Sequence, residues 1–305
     1  MSRTLYFFIT ENVHLLDLSG MLQVFQESSQ YGLEYEIEYL STQPRVMTSS
    51  GLEFSNLKDF QLFLPSENDI VCVPGSKSPV SAGEEFQHFF RWLKTAHERG
   101  AKICSICSGA FMLAESGLLD HRSCTTHWAL TDQLEKQFPK LLVKKNVLFI
   151  ADQNIYTSAG FTTGVDLALY LIEEQHGSEL AAKLARELVV YIRRDGGEQQ
   201  LSIYMQFRSH QDEKVHAIQD WIVQNIDKKT SIEALADRVH TSPRNLTRIF
   251  KEKTGITLTD YRNKVRLEKA KSLMKNTGYK MDHVAKLCGY TNSRQLRSLL
   301  QKNSI

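Results

Sequence analysis

The sequence predicts two domains of different class: an α/β domain built on a parallel sheet, then an all-α domain of two helix-turn-helix units. Apolar strand-like runs alternate with amphipathic helices through the first two hundred residues, and two helix pairs of the same layout stand about fifty residues apart in the last hundred. A chain of 305 residues is long for one domain and sufficient for two that each bury a core. Charge is divided unevenly as well. Residues 211–305 hold 19 Lys and Arg against 10 Asp and Glu, a net of +9, while the other 210 residues hold 18 against 25, a net of −7. The basic part suits a polyanion and the acidic part does not.

In the first part, strands are expected at Thr4–Ile9, Tyr35–Leu40, Ile70–Val73 and Lys102–Ser105, and at Val147–Ile150 with Ile155–Thr157. Helices are expected at Leu18–Ser29, Glu84–Arg99, Ser108–Ser116, Trp128–Phe138, Thr163–Glu174 and Glu179–Arg194. Strands separated by helices imply a parallel sheet covered on both faces, a flavodoxin-like architecture. Ligands of such sheets bind beyond the carboxyl ends of the strands, so the residues just after each strand are where chemistry is sought.

After Lys102–Ser105 the chain reads Ile106-Cys-Ser-Gly-Ala110 and passes at once into an apolar helix. A cysteine at a tight strand-to-helix turn, flanked by small residues, resembles a nucleophile elbow, and the following helix N-terminus is expected to favour the thiolate. Gly75, in Val73-Pro-Gly-Ser76, and Ser108 could each offer a backbone N–H to a developing oxyanion. His127, in Thr125-Thr-His-Trp128, is the candidate base, and Asp17, in Leu15-Leu-Asp-Leu-Ser-Gly20, the candidate acid. Against this stands the ordinary role of a lone cysteine as a small buried apolar residue. Spacing alone does not bring Cys107, His127 and Asp17 together.

Other chemistries find little support. Five cysteines, an odd number without a secretion signal, argue against a disulfide framework. Cys104-Ser-Ile-Cys107 fits the C-x-x-C pattern, but Cys104 falls inside an expected strand and the flanks lack thioredoxin-like features. The ten histidines show no H-E-x-x-H or paired zinc spacing, and neither a Walker loop nor a G-x-G-x-x-G fingerprint occurs, so no metal, nucleotide or other cofactor is implied. No segment approaches the roughly eighteen apolar residues of a membrane span, and Leu5-Tyr-Phe-Phe-Ile9 is cut short by Thr10-Glu-Asn12. A soluble, cytoplasmic protein without a membrane partner is expected.

The first helix pair of the second part is Ile232–Val239, a turn His240-Thr-Ser242, and Pro243–Thr254. Ser242 is a good N-cap, Pro243 occupies the first helical position and Gly255 closes the helix. Leu246, Ile249 and Phe250 fall on one face, leaving Arg244, Asn245, Arg248 and Lys251 outward. Arg suits guanine and Asn suits adenine in the major groove, and both grip phosphates. The second pair repeats the layout: Met281–Leu287, the turn Cys288-Gly-Tyr-Thr291, and a helix from about Asn292 to Lys302. There Leu296, Leu299 and Leu300 form the inner side and Arg294, Gln295, Arg297 and Ser298 the outer one. A single such pair could be a solvated hairpin; two in tandem favour a DNA reader.

Ile232-Glu-Ala-Leu-Ala, Ser242-Pro-Arg-Asn-Leu-Thr-Arg-Ile-Phe-Lys, Thr254-Gly-Ile and Val265-Arg-Leu-Glu-Lys-Ala-Lys-Ser-Leu-Met274 resemble the AraC-type DNA-binding domain. The resemblance implies a long helix, Leu258 to about Met274, that sets two recognition helices into neighbouring major grooves ~34 Å apart. The chain departs from that pattern at Leu299-Leu300, where a basic residue followed by an aromatic is more usual, and stops at Ile305 before a further Gly-x-x-Pro-x-x-Tyr-like segment, so a weaker grip by the second reader is expected. Upstream, Leu16-Asp-Leu-Ser-Gly20, Val73-Pro-Gly75, Ile106-Cys-Ser-Gly-Ala-Phe-Met-Leu-Ala-Glu-Ser-Gly-Leu-Leu119, Thr125-Thr-His-Trp128 and Thr157-Ser-Ala-Gly160 look like the PfpI-type branch of class I glutamine amidotransferase-like domains. Together the two parts resemble a GlxA-family transcriptional regulator. That resemblance implies a sensing domain over residues 1–195, a linker over 196–213 and a DNA-binding domain over 214–305. It implies promoter DNA, a small-molecule effector and a second copy of the chain as partners, amino-acid-like or quaternary-amine metabolites being the effectors to screen. It places the family's reactive cysteine at Cys107, its histidine at His127 and its acidic pocket residue at Asp17. Because enzymes of the superfamily carry out hydrolytic chemistry or isocyanide hydration, a cysteine-dependent hydrolase or hydratase with a DNA-binding tail is the alternative.

Overall fold

The computed structural model describes residues 3–77, 86–191, 193–276 and 278–302. The chain divides into two compact units, Met1–Gln200 and Leu201–Ile305.

The first unit is built on a seven-stranded sheet in the order Phe149–Asp152, Ile155–Ser158, Lys102–Ile106, Ile70–Val73, Arg3–Phe8, Tyr35–Ser41, Lys58–Asp59. Every neighbouring pair is parallel except the first, which is a hairpin. Gln153 and Asn154 both take positive φ there, the conformation a two-residue hairpin turn of matching twist requires. Period-2 alternation feeds two cores. Leu5, Phe7, Ile70, Cys72, Cys104 and Ile106 face the helices Leu15–Glu27 and Thr163–His176, while Tyr6, Phe8, Val71, Val73 and Ile103 face Gln87–Glu98 and Gly109–Glu115. Each fully buried Phe or Leu contributes about 1.5–3 kcal/mol, so the central strands are what hold the carboxyl-end loops in place.

Several elements differ from the sequence expectation. The first helix begins at Leu15, three residues early, which places Asp17 in its first turn. Of the helix expected at Glu84–Arg99, Gln87–Glu98 is observed, and Glu84 and Glu85 lie outside the described residues. The Trp128–Phe138 expectation shortens to Thr131–Gln137 because the chain first turns, with the Leu130 N–H donating to His127 O. The helix expected to reach Arg194 ends at Glu187, where Val189 takes a positive φ and stands 86% exposed. Its basic end instead ties back, Arg193 to Glu173 and Arg194 to Asp166. The strand Lys58–Asp59 and the pairs Arg45–Met47 with Glu53–Ser55 and Ser123–Cys124 with Leu142–Val143 are too short to show any alternation in sequence.

Among its described residues the second unit carries helices and no strand: Ile203–Gln206, Glu213–Gln224, Ile232–Arg238, Pro243–Thr254, Leu258–Asn276, Met281–Leu287 and Ser293–Lys302. The first of these falls within the stretch 196–213 expected as linker. Ile203 is buried in the unit's larger core and Phe207 meets the Tyr261 ring edge-on at 6.0 Å. The polar residues around them concealed this docking. Val215, Ile218, Leu235, Leu246, Phe250 and Tyr261 build the first half's core, and Leu267, Ala270, Val284, Cys288, Tyr290 and Leu296 the second's. The long helix serves both, with Val265 in one and Leu267 in the other.

Candidate functional site

The turn after Lys102–Ile106 places Cys107 at φ +54, a left-handed conformation that costs a non-glycine residue of order 1–3 kcal/mol. It is held from both sides. The Cys107 N–H donates to Ser158 O at 3.0 Å, and the Thr126 hydroxyl donates to Cys107 O at 2.7 Å. Two glycines make room. A Cβ at Gly75 would lie 2.5 Å from Asp17 Oδ2 and 2.9 Å from Cys107 Cβ, and one at Gly160, itself at φ +97, would lie 2.3 Å from Cys107 Cβ.

Asp17 and Cys107 meet in this crowded space. Asp17 is fully buried; its Oδ1 accepts from the Phe161 N–H at 2.5 Å, and its Oδ2 makes no hydrogen bond among the described residues although the Cys107 side chain lies beside it. Burial raises the Asp17 carboxyl, offset in part by the Phe161 N–H, His14 and the thiol. Burial first, and then the Asp17 charge, push the Cys107 thiol up to about 12, against the thiolate-favouring Ser108 N–H. The thiolate expected from the helix N-terminus is therefore not what the fold favours. Gly109–Glu115 is only seven residues long, and desolvation beside a carboxyl outweighs its dipole.

Around this turn the other expected groups make contacts of their own. Gly75 presents its carbonyl to the His14 N–H at 2.8 Å. The Ser108 hydroxyl is tied to Ser76, accepting from its N–H and donating to its carbonyl, both at 2.9 Å. His127 stands at the rim, its Nδ1 accepting from the Ala129 N–H at 3.4 Å, and among the described residues no hydrogen bond joins it to Cys107. Burial, then His14, lower its pKa, so the ring favours the neutral form. Sequence reasoning missed His14, Gly160 and Phe161. The Phe161 ring centre lies 5.8 Å from that of His14 and 5.9 Å from that of His127, with Trp128 5.4 Å from His127. The signal that could have found Phe161 was its position just past the carboxyl end of Ile155–Ser158.

In the second unit the candidate DNA contacts lie as the helical period requires. Ser242 Oγ caps Pro243–Thr254 by accepting from the Asn245 N–H at 3.2 Å, and Leu246 and Phe250 point inward. Arg244, Arg248 and Lys251 are exposed. Asn245 is half-buried and engaged, donating to Thr241 Oγ1 at 2.8 Å and accepting from Arg248 at 3.1 Å, while Arg248 also pairs with Glu252 at 2.9 Å. Reading adenine would require Asn245 to give up these partners. On Ser293–Lys302, Arg294, Gln295, Arg297 and Ser298 are exposed and Leu296 is fully buried, with Leu299 and Leu300 only half-buried. Asn292 Oδ1 accepts from the Gln295 N–H at 3.1 Å, and Gln295 Oε1 accepts back from Thr291, which holds that amide at the helix start.

Residues 3–174 match the DJ-1/PfpI family, and residues 235–303 match a helix-turn-helix domain family. The chain is 28% identical to the HTH-type transcriptional regulator GbdR of Pseudomonas aeruginosa, over 94% of this chain and 78% of that one. It is 27% identical to the HTH-type transcriptional regulator GlxA of Rhizobium meliloti, over 66% of this chain and 61% of that one. A crystal structure of an AraC family transcriptional regulator from Pseudomonas putida superposes with a TM-score of 0.54, covering 62% of this chain and all of that one; at 20% identity the likeness speaks for the fold. No helix among the described residues is long and apolar enough to cross a membrane. With the DJ-1/PfpI match covering more than half of its length and the helix-turn-helix match following it, the chain belongs to the DJ-1/PfpI family as a GlxA-type regulator, the α/β domain fused to an AraC-type DNA-binding module.

Proposed function

We propose that this chain binds promoter DNA as a homodimer and that a small metabolite, bound at the Cys107 site, sets its affinity for that DNA. The observation that carries the DNA reading is the pair of capped helices presenting Arg244, Arg248 and Lys251, and Arg294, Gln295 and Arg297, on exposed faces over separate cores. Relatives along most of its length carry the name of transcriptional regulators. For the Cys107 site, a protonated thiol beside a buried carboxyl, under a rim of Phe161, Trp128 and two imidazoles, suits recognition better than nucleophilic attack. The rings offer faces to a cationic or amine-bearing effector, which is where screening starts. An effector acts only by binding one state of the protein better than another, so its presence must change the affinity for DNA.

The test is binding of the full chain to sheared genomic DNA, with sequencing of the retained fragments and a salt titration on the best. A recurring site with two half-elements about one helical turn apart supports a regulator using both readers. Weak, sequence-indifferent, salt-sensitive binding contradicts it. The alternative of a cysteine-dependent hydrolase or hydratase draws on the Asp17 and Cys107 contact, where a carboxyl could move a proton to and from sulfur. Slow alkylation of Cys107, no faster than an ordinary thiol, counts against it.

A further inference from the structure

Arg266 lies midway along Leu258–Asn276 and only 8% of its surface is exposed. Taking a guanidinium out of water is costly unless its donors are met. Here Nε donates to Ile226 O at 2.9 Å and Nη2 to Lys228 O at 3.1 Å. Both carbonyls belong to the segment between Glu213–Gln224 and Ile232–Arg238, in the first half of the module. The guanidinium carbon also stands 5.8 Å from the centre of the Tyr290 ring. Gly289, at φ +75, packs so closely that a Cβ there would lie 2.5 Å from Arg266 Nη2 and 2.7 Å from Ile226 O. Gly289 and Tyr290 form the turn of the second helix-turn-helix, so one side chain touches both halves. It does so where the long helix leaves one core for the other, between Val265 and Leu267. Arg262, one turn earlier, supplies the contrast: its Nη1 donates to Thr230 O at 2.9 Å, a contact within the first half alone.

We propose that Arg266 is a positioning residue that fixes the angle between the recognition helices Pro243–Thr254 and Ser293–Lys302, and through it the spacing of the DNA half-elements the chain reads. The inference rests on the reading of the module as a two-part DNA reader. Each base pair inserted between half-elements moves the second by about 3.4 Å and turns it by about 35°. A stiff joint rejects that displacement and a loose one absorbs it. Two readers held at the right distance also gain from acting as one ligand, a gain that a loosened joint gives back.

The experiment begins with the wild-type full chain selecting its site from a randomised duplex library. Affinities are then measured on that site, on versions with one, two or three base pairs inserted between the half-elements, and on a duplex keeping only the half-element read by Pro243–Thr254. For Arg266→Ala we expect about ten-fold weaker binding at the native spacing, a flattened dependence on spacing, and single-half-element binding within about two-fold of wild type. Arg262→Ala keeps the wild-type spacing profile. If Arg266→Ala does not fold, Arg266→Lys, which keeps the charge and loses the planar fork, and Gly289→Ala, which wedges the joint with Arg266 present, are read the same way. A folded Arg266 variant with the wild-type spacing profile overturns the proposal, as does a wild-type site with only one half-element. A wild-type chain that selects no recurring sequence overturns instead the DNA-reading assignment beneath it.

Discussion

The candidate groups of the N-terminal unit converge on one buried thiol, whereas those of the C-terminal unit are spread along the exposed faces of two helices. Asp17, Gly75, Cys107, Gly160 and Phe161 come from four separate loops and helix starts and share a space with no room for a methyl group. Arg244, Arg248 and Arg297 each stand on a helix whose inner face is fixed by its own leucines and aromatics. The difference teaches where a substitution will be felt. At the elbow it disturbs packing and hence stability; on the reader helices it leaves the fold intact and changes binding.

Gly160→Ala sharpens this contrast most. Its Cβ would fall 2.3 Å from Cys107 Cβ at a φ of +97. Overpacking and a left-handed alanine together are expected to destabilise the N-terminal unit by about 2–4 kcal/mol, seen as a lowered urea midpoint of the full chain. Gly197→Ala, with nothing within 4 Å of the new methyl, is the control and should move the midpoint little. Equal midpoints for the two variants would break the packing account.

Next in size is Arg244→Ala or Arg297→Ala. Either should weaken binding to a selected DNA site by ~1–3 kcal/mol if the side chain reads a base; a phosphate contact should weaken all sequences alike and lower the salt slope. Neither should shift the unfolding midpoint, since both side chains are exposed. Unfolding of either variant at lower urea would blur the proposed division between stability and binding. Ser242→Ala lies between the two classes. It removes the acceptor for the Asn245 N–H at the start of the first recognition helix and should cost about 1 kcal/mol of stability in the C-terminal unit.

The same division governs what could be read from sequence. The reader faces follow a 3.6-residue period around Leu246, Phe250 and Leu296, and both helix pairs occur within a residue or two of where that period puts them. The strands were legible because their β-branched and aromatic runs are buried on both faces. Two-residue strands were not, and Val189 interrupted an otherwise continuous amphipathic helix through a backbone angle that no pattern announces. At the elbow, the turn around Cys107 could be inferred from small neighbours, but the meeting of Asp17 with the thiol arises from helix packing across the sheet. The engagement of His127 Nδ1 by the Ala129 N–H, and the approach of the Phe161 ring to both His14 and His127, arise from loop paths. Burial then reversed the expected ionisation of the cysteine, because desolvation depends on everything that surrounds a group and the helix dipole on one element only.

Asp17→Asn tests that reversal with the smallest expected change in stability, since the Phe161 N–H and His14 already offset part of the burial cost. The folded-state pKa of Asp17 is raised, so its favourable contribution is complete below the ordinary carboxyl pKa of about 4 and is lost as pH rises through the folded value. The variant lacks that loss. Its stability relative to wild type should therefore increase from pH 4 upward and level off once Asp17 is ionised, as read from urea midpoints across that range. The thiol should respond in the same protein: with the carboxylate gone, the titration midpoint of Cys107 falls below about 12 and its alkylation at pH 8–9, followed by mass spectrometry of the labelled peptide, becomes faster than in wild type. An unchanged alkylation rate would mean that burial alone holds the proton on sulfur, and that the elbow behaves as a packed core position rather than as a coupled pair of ionisable groups.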